Sequence, residues 1–238
     1  MGKINLIKEI KKKREISEIE DSFVESSLNK TLKEMGIKEI DSLSDKDVKQ
    51  IVKSTRAKLR IYVGRFKTSK KHISVEERKE FYEKLKEIID ELGIKSILDI
   101  GCGLNPIMIA TRNIKYYAID VNEEYIKIIN KKFKESGIDG IALSKDVRKI
   151  DYSELPFYDL VLLMKILDLL ESRGHKLAEK IITSLKCKFI IVSFSTKTLS
   201  GKPMNHPQRG WIERMLNRIG YSFSMFKFRN EIFYLIRK

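Results

Sequence analysis

The sequence predicts an α/β protein: a doubly wound, mostly parallel sheet of seven strands that ends in an antiparallel hairpin, preceded by a helical N-terminal domain. Three observations support this prediction. Before Gly93, apolar residues recur three and four positions apart, which is helical spacing. After Gly93, short apolar segments alternate with helical ones, as in parallel strands joined by crossover helices. The last two apolar segments are separated by Arg229 and Asn230 at a turn, which indicates the hairpin.

The first domain, residues 1–92, is predicted to consist of helices. The fourth of them begins with a capping box, because Glu77 lies three positions after Ser74. The predicted helices are Ile4–Ile16, Asp21–Met35, Ser44–Phe66 and Ser74–Leu92.

The second domain, residues 93–238, supplies the sheet. Its parallel strands are predicted at Ser96–Ile100, Tyr116–Asp120, Gly140–Ser144, Tyr158–Met164 and Phe189–Phe194. Helices are predicted at Ile107–Arg112, Glu123–Ser136, Leu167–Leu185 and Pro207–Ile219. The hairpin strands are Tyr221–Lys227 and Glu231–Arg237.

The composition restricts the class of protein. The longest apolar run, Leu160–Met164, is far shorter than the roughly 20 residues that span a bilayer. The N-terminus is charged where a secretory signal would be apolar, and the two cysteines, Cys102 and Cys187, suit a reducing compartment. We therefore expect a cytoplasmic protein with no membrane partner, no disulfide framework and no metal site.

The charge is strongly positive, with 48 basic and 33 acidic residues and a formal net charge of +15. Residues 46–71 contain ten Lys or Arg and one acid, Asp47. A solvated helix face is the simplest interpretation, but an excess of this size favours contact with RNA phosphates. The predicted RNA-binding residues of this tract are Lys53, Arg56, Lys58, Arg60, Arg65, Lys67, Lys70 and Lys71.

A glycine-containing loop follows the first predicted strand. It begins after Asp99 and contains Gly101, Gly103 and Pro106. Glycines in this place let the backbone turn tightly against a nucleotide-like ligand. A dinucleotide-binding loop would have a third glycine at position 106. The pattern Asp-x-Gly-x-Gly suits a ligand with a cationic amino acid end, such as S-adenosylmethionine.

Two further strand ends support a nucleoside ligand. Asp120 ends the second strand 19 residues after Gly101, close to the spacing of about 20 at which an acid reaches a ribose diol. Asp146 and Val147 follow the third strand, where a polar side chain and a backbone amide can read an adenine ring. Together the three strand ends predict an S-adenosylmethionine site.

These motifs resemble the class I S-adenosylmethionine-dependent methyltransferases over residues 93–238. Within that class, the segment from Asp99 to Pro106 is similar to the 16S ribosomal RNA methyltransferases that confer aminoglycoside resistance by methylating guanine N7. Residues 74–82, 162–171 and 193–201 are similar to three other segments of that family. Asp168 and Ser195 depart from it, since the family is expected to have Pro at both places.

The resemblance implies roles for further residues. Arg78 would hold the cofactor carboxylate, and Asn105 belongs to the glycine-loop motif that binds the cofactor. Lys165, after the fourth strand, and Lys197, after the fifth, would position the target nucleotide. Lys202 and Arg209 are predicted to contact RNA. The implied partner is 16S rRNA or the 30S subunit, and we expect a monomer.

Features that other targets require are absent from the expected places. Residues 164–167 read Met-Lys-Ile-Leu, so the Pro-containing loop that holds an amino group is missing. Neither cysteine is placed to attack a cytosine ring. A guanine N7 needs neither device, because positioning alone can supply about 7–11 kcal/mol. Methylation of another RNA or ring nitrogen, a small-molecule substrate, and RNA binding without turnover remain alternatives.

Overall fold

The computed structural model describes residues 2–40, 43–63, 78–170, 174–198, 202–204 and 207–238. The helices of the N-terminal region are α1 (Lys3–Lys11), α2 (Asp21–Glu34), α3 (Asp45–Val63) and α4 (Lys79–Glu91). The strands are β1 (Ser96–Ile100), β2 (Lys115–Asp120), β3 (Gly140–Ser144), β4 (Tyr158–Met164), β5 (Cys187–Ser195), β6 (Ser222–Phe228) and β7 (Glu231–Arg237). The remaining helices are α5 (Asn105–Ile109), α6 (Glu123–Ser136), α7 (Leu167–Leu170), α8 (Lys176–Ser184) and α9 (Gly210–Arg218), with a 3₁₀ turn at Val147–Lys149.

The seven strands form one sheet in the order β3-β2-β1-β4-β5-β7-β6. The first five strands are parallel, and β7 pairs antiparallel with both β5 and β6. The predicted fold class, including the terminal hairpin, is confirmed. The strand order reverses at β1, between β2 and β4, and ligands of doubly wound sheets bind outside the carboxyl ends of the strands at such a point.

The helix boundaries show where local sequence signals were misread. Helix α5 begins at Asn105 rather than Ile107, because Pro106 fits the first turn of a helix and lacks only an amide hydrogen that has no partner there. The predicted helix Leu167–Leu185 is divided into α7 and α8. Gly174 and His175 have φ of 86° and 56°, which no α-helix accommodates. Helix α9 begins three residues later than Pro207.

Two apolar cores cover the two faces of the sheet, and a third lies in the N-terminal region. Leu98 and Ile100 contribute to one sheet core, and Ile97 to the other, as the two-residue period of a strand requires. The third core joins α1, α2 and α3. Helix α4 packs instead under the sheet through residues such as Phe81 and Leu85. This packing places α4 with the sheet, in contrast to the domain boundary predicted at residues 92 and 93.

The helical region contacts the sheet domain immediately after β2. Ile19 and Asn122 form an antiparallel bridge. The Glu20 amide donates to the Val121 carbonyl (3.0 Å), and the Glu123 amide donates to the Glu18 carbonyl (2.9 Å). Val121 also packs against the core of the three helices. In the described part of the chain, no helix is long and apolar enough to cross a membrane.

Candidate functional site

The glycine loop turns between β1 and α5 at the carboxyl edge of the sheet. Gly101 and Gly103 have φ of 68° and 54°, the left-handed region in which side chains are strained. The amides of Gly101 and Cys102 both donate to the Ile119 carbonyl, at 2.8 and 3.0 Å, which ties the loop to β2. A Cβ atom on Gly101 would lie 2.9 Å from Ile166 Cδ1. The loop therefore requires glycine for its conformation and for its packing against the residue that follows Lys165.

The carboxylate of Asp120 lies directly beside this loop, as the spacing predicts. Its Oδ2 accepts from the Gly103 amide (2.8 Å), and its Oδ1 accepts from the Asn122 amide (2.9 Å). Burial raises the pKa of Asp120, and these backbone amides oppose the increase. Each oxygen retains capacity for another donor, since a carboxylate has about four acceptor positions. Asp120 can therefore hold the glycine loop and bind a diol at the same time.

Asp99 is a fully buried carboxyl group with one unsatisfied oxygen. The Tyr116 hydroxyl donates to Oδ2 at 3.0 Å. Oδ1 has no hydrogen-bond partner among the residues that the structure describes. Burial raises the pKa of Asp99 to about 7, although the bond from Tyr116 and the charge of Arg78 oppose the increase. An unsatisfied buried acceptor is costly, so this oxygen is suited to a ligand that brings a donor or a positive charge.

Arg78 is buried and held by Glu231, which the sequence analysis did not single out. Arg78 Nε and Nη2 donate to the two carboxylate oxygens of Glu231 at 2.9 and 2.8 Å. Its Nη1 donates to Asn105 Oδ1 at 2.9 Å, and the Tyr82 hydroxyl donates to the same oxygen. Asn105 therefore contributes through its side chain, although it was predicted only as part of a motif. One edge of the Arg78 guanidinium is already occupied by a carboxylate of the chain itself.

Lys165 joins the same group of charges. It follows β4 with φ of 57°, and its Nζ lies 2.9 Å from Glu231 Oε2. Ser193 on β5 also donates to Glu231 through its hydroxyl. Burial opposes ionisation of Glu231, but Arg78 and Lys165 outweigh it and hold its pKa below the ordinary value. Two cations, Arg78 and Lys165, thus contact the Glu231 carboxylate.

The contacts of Glu231 could not be predicted from spacing along the chain, because its partners lie far away in the sequence. Arg78 is 153 positions away. Its placement follows from the hairpin, since β7 begins with Glu231 opposite Ser195 on β5. The one sequence signal for this site was an acidic residue at the first position of a buried strand, paired with the end of β5.

Asp146 and Val147 lie after β3, where the sequence predicted them, and both are buried. The Asp146 carboxylate accepts three bonds from Arg148: from the backbone amide (3.0 Å), Nε (2.8 Å) and Nη2 (2.7 Å). The neighbouring Ser144 Oγ has no partner among the described residues. Arg148 is a second residue beside the predicted ones that was not singled out in the sequence, although an Asp that caps a turn two residues before an Arg is a local signal.

The segment after β5 has two kinds of basic residue. Lys197 is half-buried and forms an isolated antiparallel β-bridge with Pro203. Lys202, beside Pro203, is exposed. Arg209, which is predicted to bind RNA, contacts other residues of the protein. It pairs with Asp168 (2.9 Å) and donates to the Ser195 carbonyl (3.3 Å). Asp168 and Ser195 are the two departures from the family pattern, so both are tied to Arg209.

The basic tract of residues 46–71 also contains both side chains that are engaged within the protein and side chains that are exposed. Arg56 donates to the carbonyls of Glu9 and Ile10, near the end of α1. Lys58 pairs with Glu34 (2.5 Å), and Arg60 pairs with Glu15 (2.8 Å). Lys53 is exposed and lines a groove of about 470 Å³ between α1 and α3. Arg65, Lys67, Lys70 and Lys71 lie outside the described residues.

Two aromatic rings lie near the start of α8 and α9. His175 and Trp211 stack with centroids 4.0 Å apart and planes 2° apart, and Phe194 meets Trp211 edge-on at 5.7 Å. Both stacked residues are half-buried. Within the described ranges, no group of three or more His, Cys, Asp or Glu side chains could hold a metal ion.

The strand order and the site at the carboxyl edge of β1, β2 and β3 define an α/β protein of the methyltransferase fold. The family model described as ribosomal RNA methyltransferase (FmrO) matches residues 42–235. The chain belongs to this family, which confirms the predicted resemblance.

Individual relatives agree with this assignment. The chain is similar to a 16S rRNA (guanine(1405)-N(7))-methyltransferase of Frankia casuarinae, at 24% identity over 70% of this chain and 61% of the relative. It is also 30% identical to an enzyme of the same name from Serratia marcescens, over 60% of this chain and 58% of the relative. The chain thus spans about three fifths of the length of these curated relatives.

Solved structures share the fold across the whole chain. The 16S rRNA methylase RmtB superposes with a TM-score of 0.79 at 22% identity, covering 100% of this chain and 99% of that one. The 16S rRNA methyltransferase RmtF, solved in complex with S-adenosyl-L-homocysteine, also gives a TM-score of 0.79, at 20% identity, covering 100% of this chain and 99% of that one. These likenesses concern the fold.

Proposed function

We propose that the protein methylates N7 of a guanine in 16S rRNA within the 30S subunit, with S-adenosylmethionine as methyl donor. One observation carries the proposal. At the carboxyl edge of the sheet, the Asp99 oxygen that has no partner among the described residues and the cations of Arg78 and Lys165 flank the glycine loop. This pairing of a buried acceptor with two nearby cations matches the ammonium and carboxylate of an amino acid.

The roles of the cofactor-binding residues follow from their contacts. Asp99 would accept from the ammonium, because Oδ1 has no donor among the residues that the structure describes. Asp120 would bind the ribose hydroxyls while it holds the Gly103 amide. The carboxylate would lie near the cations of Arg78 and Lys165. Arg78 Nε and Nη2 donate to Glu231, and Nη1 donates to Asn105. Nη1 is therefore the group of Arg78 that would contact the carboxylate.

The adenine would lie against the residues after β3. The Asp146 carboxylate can accept from the exocyclic amine, and the Val147 amide can donate to a ring nitrogen. Three acceptor positions of Asp146 are filled by Arg148, two on Oδ1 and one on Oδ2. A carboxylate has about four such positions, so Oδ2 retains one.

The chemistry requires positioning rather than proton transfer. S-adenosylmethionine, when bound, supplies a methyl group on a positively charged sulfur. Guanine N7 has an in-plane lone pair, so no general base is needed, and alignment supplies much of the rate. Lys165 and Lys197, at the ends of the adjacent strands β4 and β5, would orient the target nucleotide. Lys202 and Lys53 are exposed and would contact phosphates.

The guanine N7 target agrees with the names of the curated relatives. We infer that the RNA-binding unit consists of α1 to α3 and that α4 belongs to the sheet domain, because α4 shares the core of the sheet. Arg56, Lys58, Arg60 and Arg209 would act through the protein fold, since each is engaged within it. A ribosomal substrate also implies action in the cytoplasm.

The experiment is methyl transfer to purified 30S subunits, followed by mapping of the modified base. N7 methylation puts a positive charge on the ring and makes the glycosidic bond labile. Borohydride and aniline should therefore cut the treated 16S rRNA at one guanine, and Asp120→Ala should greatly reduce the cut. Stoichiometric transfer without a cut would refute N7 and direct attention to another ring nitrogen. No transfer to 30S subunits or free RNA would refute the proposed activity.

A further inference from the structure

We propose that the helical N-terminal unit takes part in cofactor recognition, with Phe23 of α2 positioning Arg148 and, through it, the adenine-reading carboxylate of Asp146. The inference rests on the proposed function, because it assumes that Asp146 reads the adenine. It assigns positioning roles to Phe23 and Arg148, and it links two parts of the chain that the sequence suggested were separate.

The contact itself is close and well enclosed. The guanidinium carbon of Arg148 lies 3.9 Å from the centroid of the Phe23 ring. Phe23 is 2% exposed and belongs to the core of α1 to α3, so its ring cannot move independently of that unit. A cation over an aromatic face at this distance is attractive, and the attraction grows when water is excluded. The ring thus supports one face of the guanidinium.

Arg148 transfers this constraint to Asp146. Its Nε and Nη2 bind the two carboxylate oxygens as a planar fork at 2.8 and 2.7 Å. A fork of this kind fixes the plane of the carboxylate, which a single bond would not do. The Asp146 side chain is 1% exposed. Arg148 therefore fixes the direction of the acceptor position that remains on Asp146 Oδ2. Phe23 in turn fixes the position of the Arg148 guanidinium.

The docking of the helical unit keeps this arrangement in place. Its connecting segment is bonded to the two residues that follow Asp120, through the bridge of Ile19 with Asn122 and the bond from the Glu20 amide to Val121. The helical unit thus contacts the sheet domain beside Asp120 and Asp146, the two residues that are predicted to bind the nucleoside. A carboxylate whose direction is fixed should distinguish an amine donor from a carbonyl acceptor at the adenine edge.

The test compares the binding of two ligands to the full-length protein by titration calorimetry: S-adenosylhomocysteine and S-inosylhomocysteine, in which a carbonyl replaces the amine. Wild-type protein should prefer the adenine compound at least about tenfold, as expected when a buried acceptor loses its donor. Phe23→Leu, which removes the aromatic face, should reduce this preference at least threefold. Phe23→Tyr should retain it. Arg148→Lys, which cannot form the fork, should reduce it as Phe23→Leu does.

The matched control is Leu32→Ala, in the same helical core but nine positions along α2, about 13 Å from Phe23 along the helix axis. It should lower the melting temperature and leave the preference unchanged. A preference in Phe23→Leu and Arg148→Lys equal to that of wild type would overturn the inference, as would an equal loss in Leu32→Ala. Wild type that binds both ligands equally would also overturn it and leave methyl transfer standing. Wild type that binds neither would count against the proposed function itself.

Discussion

Replacing Glu231 by Gln should destabilise the folded protein strongly, although the two side chains have nearly the same shape. Glu231 is 4% exposed and neutralises part of the charge of Arg78 and Lys165. Its Oε1 accepts from Arg78 and Ser193, and its Oε2 accepts from Arg78 and Lys165. In Gln one of these oxygens becomes an NH₂ group. Whichever way the amide is turned, at least one N–H donor of Arg78 then faces that group.

The magnitude follows from leaving buried charges without their counter-ion. Removing one partner of a buried ion pair costs about 3–5 kcal/mol. For a chain of this size, about 2–4 °C of melting temperature is lost per kcal/mol, so Glu231→Gln should melt roughly 6–20 °C below wild type. The double variant Glu231→Gln with Lys165→Met should recover part of the loss, because one of the two cations that contact residue 231 is removed.

The assay is denaturant unfolding of wild type, both single variants and the double variant at several pH values. The pKa of Glu231 is held below its ordinary value, so its stabilising charge is present above the unfolded pKa of about 4.3 and is lost as pH falls through the lower folded value. The difference between wild type and Glu231→Gln should therefore persist from pH 8 to pH 5. A difference below about 1 kcal/mol at pH 7, or a Lys165→Met effect that simply adds to it, would refute this account.

Three further predictions address the site and the RNA surface. Asp120→Ala removes a charge-assisted acceptor worth about 1.5–3 kcal/mol per bond, so calorimetric affinity for S-adenosylmethionine should fall at least tenfold; an unchanged dissociation constant in a folded variant would exclude the ribose role. The pKa of Asp99 is raised to about 7, so cofactor affinity should fall as pH drops from 8 to 6, by up to about tenfold per pH unit below 7, and Asp99→Asn should abolish this dependence; parallel pH profiles would contradict it. The double variant Lys53→Ala with Lys202→Ala should weaken RNA binding and lower the slope of its salt dependence by about 0.9 per lost contact. Arg56→Ala should chiefly lower thermal stability. The reverse pattern in filter binding and melting curves would contradict the assignment of Lys53 and Lys202 to RNA contact.

Alternation of apolar segments was enough to predict the order of elements, because strands and helices have different periods and the core imposes them directly. Strands β1, β3, β4 and β7 have the predicted boundaries. The division between α7 and α8 was missed, although Gly174, which has a φ of 86°, was a local signal for a break in the helix. The assignment of α4 to the sheet was missed as well, because helical periodicity shows that a face is buried but not against what.

The fold class and the glycine loop could be predicted from the sequence, because alternating strands and helices and the glycines at a strand end are local patterns along the chain. Which basic side chains are engaged within the protein follows from the packing of the folded chain. Arg56, Lys58 and Arg209 are ordinary basic residues in the sequence, yet each is engaged by groups from 24 to 47 positions away. Glu231 and Phe23 acquire their places only through the hairpin and the docking of α2, since side chains far apart in sequence are brought together by packing and not by any spacing along the chain.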